Sequence, residues 1–173
     1  MSSLVDTCPY KEKTKTKNFI NRHLFLADCY FFFCEQQVKN TEVDFYTQSE
    51  LWQYDYFPNL LPDAYITETT KDETERYFLD YFDGSTPARV IRARIQGYLK
   101  YEDEGNWNTN TDNAPFPTIL FVCANERMKK HVLYYGKAVL EKSFADVSFF
   151  VTTKDKIRFA KSNVPVWESV NEE

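Results

Sequence analysis

The run RYFLDYFDGSTPARVIRARIQGYLKY (76–101) decides the fold. Its first seven residues, rich in Phe, Tyr and Leu, predict a strand over 76–82. DGSTP then supplies a turn and a helix start, with Ser85 or Thr86 as N-cap and Pro87 in the first turn. A helix follows over 87–102. On a wheel of 3.6 residues per turn, Val90, Ile91, Ile95, Tyr98 and Leu99 share one face. Arg89, Arg92, Gln96 and Lys100 share the other. Arg94 falls between Val90, Tyr98 and Tyr101, on the flank that meets the sheet. A guanidinium buried there needs a carboxylate, and Asp80 on the preceding strand is the natural one. The other reading has Arg94 snorkel past the aromatics to water.

Working outward, TILFVC (118–123) is a continuous apolar run of the kind a central strand shows. Asn125 caps a helix reaching to about 142, with Met128, Val132, Tyr135 and Val139 on one stripe. A last strand occupies 147–152. Strand and helix alternate through this half, which implies parallel pairing with helical crossovers. Upstream, a helix over 19–37 places Ile20, Leu24, Ala27, Phe31, Cys34 and Val38 at helical spacing. It adds Phe25, Phe32 and Phe33, so burial on more than one side is expected. Short strands at 43–46, 64–68 and 76–82, joined by turns, imply antiparallel pairing. The expected class is α/β, a mixed sheet flanked by helices on both faces, in the order αβββαβαβ. Residues 1–18 read as a flexible polar arm and 19–173 as one domain. The polar loop 102–117 exceeds usual connection lengths and reads as functional or mobile.

Composition narrows the function classes. The chain has 173 residues and a net charge of −5, which excludes a surface that clings to nucleic acid throughout but leaves room for a basic patch. Four glycines, and neither a GxGxxG nor a GxxxxGK[ST] loop, speak against phosphate loops. Two histidines and four cysteines without CxxC spacing exclude a structural zinc site. Cys8, Cys29, Cys34 and Cys123 read as free thiols, with Cys29, Cys34 and Cys123 in the core. With no signal peptide and no membrane-spanning run, a cytoplasmic protein with no membrane partner is expected.

Asp63 opens the 64–68 strand, and Asp80 follows seventeen residues later inside the next. Two carboxylates on neighbouring strands can converge, and such a pair suits Mg²⁺ or Mn²⁺, which take carboxylate oxygens and keep several waters. The plainer reading is that Asp63 caps a turn and Asp80 faces solvent. Asp28 and Glu35, seven apart on the first helix, are inward acids in need of a partner or else mark its solvated stripe. Basic residues gather on two helices: Arg89, Arg92 and Lys100, then Arg127, Lys129, Lys130 and Lys137. If both helices lie on one side of the sheet, they form a patch for phosphates, or simply a solvated face. Tyr54, Tyr56, Phe57 and Trp107 are either base-stacking platforms or core. Cys123 lacks the arginine six residues on that a tyrosine phosphatase loop needs, and His131 has no nucleophile elbow beside it.

The succession LPDAYI (61–66), RYFLDYFDGST (76–86), RVIRARIQGYLKY (89–101), FPTILFVCANER (116–127) and FFVTT (149–153) resembles the replication-relaxation family of plasmid and mobile-element proteins. The resemblance spans about 21–153. It implies a PD-(D/E)xK, restriction-endonuclease-like core and a role in processing plasmid DNA alongside other replication or mobilisation proteins. Asp63 matches the Asp of the Pro-Asp motif and Asp80 the acid of the next strand. Both would then be catalytic and metal-binding. Arg94 stands where the family carries a Lys on the following helix, four residues before Tyr98. Asp83 and Gly84 match the turn. The usual nuclease motif has Lys two residues after its second acid; here that place is Phe82. An arginine is always protonated and cannot act as a base. The resemblance therefore implies weak or lost metal-dependent cleavage, with DNA contacts through Arg89, Arg92, Lys100, Lys129 and Lys130. The alternative is a non-catalytic protein-interaction module on the same fold.

Overall fold

The apolar run at Thr118–Cys123 (β4) lies inside a six-stranded sheet and is parallel to both of its neighbours. The structure is a computed structural model that describes residues 16–36, 40–160 and 164–171. Its elements are α1 (Lys17–Gln36), β1 (Glu42–Thr47), α2 (Gln48–Leu51), β2 (Ala64–Thr69), β3 (Thr74–Phe82), α3 (Ala88–Asp103) and α4 (Asn106–Asn110). After β4 come α5 (Glu126–Leu140), β5 (Phe149–Thr153), α6 (Lys154–Arg158) and β6 (Glu168–Ser169). The strands stand in chain order, β1 to β6. β1, β2 and β3 form an antiparallel meander, β3–β4 and β4–β5 are parallel, and β6 returns antiparallel.

Period-two alternation divides the core in two. Phe78 and Phe82 of β3, Ile119 and Phe121 of β4, and Phe149 and Val151 of β5 pack with Ile91, Ile95 and Tyr98 of α3 and Val132 of α5. The intervening Leu79, Tyr81, Leu120 and Val122 pack with Phe25, Leu26, Cys29, Phe32 and Phe33 of α1 and Ile157 of α6. The sheet is thus an open mixed α/β layer covered on both faces, as the pattern of runs predicts.

Five local expectations are corrected. α1 is not buried on more than one side. It seals the Phe25–Cys29–Phe32 face, while Ile20, Leu24, Ala27 and Phe31 stay exposed; Val38 lies outside the described residues. Neither Ser85 nor Thr86 caps α3. Its N-cap is Pro87, and both hydroxyls donate instead to Asp83 Oδ1. Val90 is exposed because α3 turns its Ile91–Ile95 edge inward. The 102–117 segment contains α4, which Gly105 allows to start in the left-handed region at φ +66°. Trp107 pins it to the core, and its Nε1 donates to the carbonyls of Ala114 and Pro115. α1 begins at Lys17, inside the stretch read as an arm, of which residues 1–15 lie outside the described residues together with Cys8.

Candidate functional site: two acids and two arginines at the open end of the β2–β3 hairpin

Ala64 pairs with Leu79 at the end of the β2–β3 ladder. One step beyond that pair, Asp63 comes opposite Asp80. The two are among the few polar residues sealed from solvent, at 2% and 1% exposure. Ionised carboxylates in such a place require partners. Each has an arginine of its own, and the two arginines arrive from opposite faces of the sheet.

Arg22, in the second turn of α1, forks onto Asp63. Its Nε donates to Oδ1 at 3.1 Å and its Nη2 to Oδ2 at 2.5 Å. This two-pronged geometry is the strong form of the pair. Oδ2 also accepts the backbone N–H of Tyr81 at 2.7 Å, so the carboxylate stands in for the ladder partner that β2 does not extend far enough to supply. Gln48 Nε2, from α2, is 3.5 Å from Oδ1.

Arg94 comes from α3 on the other face. Its Nε lies 3.2 Å from Asp80 Oδ2. Its Nη1 donates to the carbonyls of Leu60 and Leu61, at 2.5 and 3.1 Å. The buried Tyr98 hydroxyl, one turn further along α3, donates to the same Oδ2 at 2.8 Å. Asp80 Oδ1 is buried with no hydrogen-bond partner. Burial pushes the Asp80 carboxyl up to about 6. Asp63 pushes the same way, against the pull of Arg94 and Tyr98. Burial pulls the Arg94 guanidinium down, but Asp80 outweighs it and holds the group above its ordinary value. Burial raises the Tyr98 hydroxyl, and the Asp80 charge beside it adds to the effect.

Asp83 and Gly84 form the turn that ends β3. Asp83 Oδ1 accepts from Ser85 N at 2.8 Å, and its Oδ2 is 3.9 Å from Arg22. Burial opposes the charge, yet the hydrogen bonds of Ser85 hold the carboxyl below its ordinary value. On the α1 side of this end, Lys154 lies over the rings of Phe25 and Tyr81, 4.9 and 5.4 Å from their centroids. Phe82 is a core residue stacked on Phe121.

The donor set as arranged does not fit Mg²⁺ or Mn²⁺. Three of the four carboxylate oxygens accept from guanidinium, hydroxyl or amide groups, and two cations already stand beside them. A divalent ion would find one uncommitted oxygen, where it normally needs several. Among the described residues, no group of three His, Cys, Asp or Glu side chains stands close enough to hold a metal.

The predicted residues sort unevenly. Asp63, Asp80 and Arg94 meet. Of the predicted phosphate contacts, α3 and α5 do share a side of the sheet, joined by Gln96 Nε2 donating to Tyr135 OH. Arg89, Arg92, Arg127 and Lys130 are exposed there. Arg92 lies 5.2 Å from the Tyr135 ring centroid, and Lys100 pairs with Glu104 at 3.5 Å. Lys129 is a correction: it is buried, and its Nζ is held by Glu168 and by Glu126. Asp28 pairs with Arg158 at 2.7 Å near the surface, and Glu35 is exposed. Phe57 and Trp107 are core, while Tyr54 is exposed and Tyr56 partly so. Cys29 and Cys123 are buried and Cys34 is half-buried. His131 is half-buried and stacks on Tyr135. Sequence reasoning missed Arg22 and Lys154. The wheel carried a signal for Arg22, one turn before the buried Phe25 and Leu26.

Compared with protein-family models, curated proteins and solved structures, the chain matches none of them. Among the described residues, no helix is long and apolar enough to cross a membrane.

Proposed function

We propose that this chain is a DNA-binding accessory protein of the replication-relaxation type, built on a restriction-endonuclease-like core that has lost metal-dependent cleavage. The observation that carries the reading is the double clasp of Asp63 by Arg22 and Asp80 by Arg94. Two acids converging at the end of a strand hairpin are what the resemblance implies for a nuclease metal site. Here guanidinium groups take the oxygens a metal would use, and Phe82 occupies the place of the lysine that would activate water. The succession α1, β1 to β3, α3 and β4, with the short α2 and α4 inserted, and the antiparallel-then-parallel sheet support the same core. The exposed Arg89, Arg92, Arg127 and Lys130 on α3 and α5 supply phosphate contacts without base readout.

The test is a mobility-shift titration on single- and double-stranded DNA at two salt concentrations, with a cleavage assay in Mg²⁺ and Mn²⁺. Binding that weakens as salt rises, with intact DNA, is the expected result. Absence of any shift at low salt overturns the DNA reading. Cleavage that disappears in Asp80→Asn overturns the loss of catalysis.

A second reading, a protein-interaction module without catalysis, is favoured by the open apolar face of α1. In that reading the Asp80–Arg94 pair is a structural ion pair alone.

A further inference from the structure

α1 buries one face and leaves a second apolar face open. Ile20, Leu24 and Phe31 are 47%, 59% and 59% exposed, and the exposed Ala27 lies between them. Scattered apolar residues on a surface are ordinary, but these are in line. Ile20, Leu24, Ala27, Phe31 and the half-buried Cys34 succeed one another at steps of four, three, four and three. That alternation lays a continuous seam along a helix and lets its side chains interdigitate with those of a second helix. Packing on the sheet does not require it, because the Phe25–Cys29–Phe32 face already performs that task.

The flanks of the seam say what covers it. One flank carries Asn21, Asp28 and Glu35, and the other carries His23 and Tyr30. When two copies of such a helix run parallel and in register, a residue on the second flank comes beside the residue five positions further along on the other copy's first flank. Tyr30 then meets the second copy's Glu35, and His23 comes beside its Asp28, whose carboxylate is shared with Arg158 of its own chain. Both contacts are complementary, a ring N–H or a hydroxyl against a carboxylate. An antiparallel pair instead sets the flank of Asp28 and Glu35 against itself and leaves Tyr30 without the Glu35 of the other copy. The small Ala27 at the middle of the seam allows close approach of the two helices.

We propose that α1 is a self-association surface, paired in parallel with α1 of a second copy of this chain about a two-fold axis along the seam. The inference goes beyond the DNA-binding reading and does not rest on it. A helix of this length extends about 30 Å, so the contact lies at the small end of specific interfaces and the dimer is a weak one.

Sedimentation velocity of the full chain, from micromolar to ~1 mM, tests it. The expected result is a monomer–dimer equilibrium that Leu24→Glu and Phe31→Glu each weaken by about tenfold or more. Both side chains are exposed, so circular dichroism should show the fold intact. Orientation is read from Cys34, which a parallel in-register pair brings to its own counterpart. In a Cys8→Ser background, mild oxidation should give a covalent dimer that Cys34→Ser abolishes. A dimer that does not cross-link through Cys34 overturns the parallel arrangement. A dimer indifferent to both glutamate substitutions overturns the role of the seam. A chain that stays monomeric throughout overturns the proposal and leaves the face to residues 1–15 of the same chain or to a different protein.

Discussion

Arg94 reaches Asp80 through Nε, 3.2 Å from Oδ2, and at the same time closes the carbonyls of Leu60 and Leu61 with Nη1. One side chain from α3 therefore neutralises a sealed carboxylate and fixes the loop that leads into β2. Arg22 makes the corresponding connection from α1 to Asp63. The helix layers on the two faces are thus tied through the strand ends by two ion pairs.

Removing one partner of such a pair leaves an uncompensated charge. Arg94→Met is expected to destabilise the fold by about 3–5 kcal/mol in urea denaturation. Arg94→Lys should rescue little, since an ammonium on a flexible stem cannot hold a carboxylate and two carbonyls at the same angles. The double variant Asp80→Leu/Arg94→Met should recover most of the loss, because well-packed apolar residues replace a buried pair without penalty. If the double variant is as unstable as Arg94→Met, the pair does more than cancel its own charges.

The pH dependence of stability isolates Asp80. Burial raises this group from 3.8 to about 6. Between those values the folded chain holds a proton that the unfolded chain has released. The stability linked to this group is complete below pH 4 and is lost as pH rises through 6. Asp80→Asn fixes the neutral state. The unfolding free energy of the variant relative to wild type should therefore rise by ~3 kcal/mol between pH 4 and pH 7. A difference that stays flat across that window would show that Asp80 ionises in the folded chain as readily as in the unfolded one.

Arg22→Gln tests the other clasp. Asp63 keeps the Tyr81 N–H but loses a bidentate cation whose own side chain is 29% exposed. The expected loss is about 2 kcal/mol, smaller than for Arg94 because water can reach the vacated side. Hydrogen exchange at the Tyr81 amide should rise with it, since this amide is held by the Asp63 carboxylate. An unchanged Tyr81 amide would mean that Arg22 does not position the acid.

Most of the sheet was legible because β2, β3, β4 and β5 are short apolar runs bounded by turn residues, and the runs after β3 alternate with periodic helices. The Asp80–Arg94 pair was legible for a specific reason: a wheel exposes a cation that falls on an apolar flank. Arg22 escaped because α1 carries two apolar stripes, the more regular one through Ile20, Leu24 and Phe31, and the sequence predicts burial on more than one side. Choosing the other stripe requires knowing which face the sheet takes, and that is decided by tertiary packing. α4 escaped because Asn-Trp-Asn-Thr-Asn has poor helix propensity; Trp107 docking into the core holds it. β6 is two residues long, too short for any periodicity to register.

Lys129 separates charge that is present from charge that is available. It sits in the predicted basic patch, yet its side chain is 7% exposed and its ammonium is held by Glu168, with Glu126 at 3.8 Å. Burial pulls the ammonium down, and the Glu168 carboxylate more than restores it. Lys129 also joins α5 to the β6 strand, so its loss should be felt in stability. Lys129→Gln is expected to cost about 1–3 kcal/mol while leaving the salt dependence of the proposed DNA binding unchanged. Arg89→Ala and Lys130→Ala remove exposed charges that make no ion pair among the described residues. Each should leave stability within about 0.5 kcal/mol and lower the slope of log affinity against log salt by about one. The two measurements run in opposite directions for the two classes of residue. If Lys129→Gln flattens the salt slope while Lys130→Ala does not, the proposed DNA contact does not run through the exposed cations of α5.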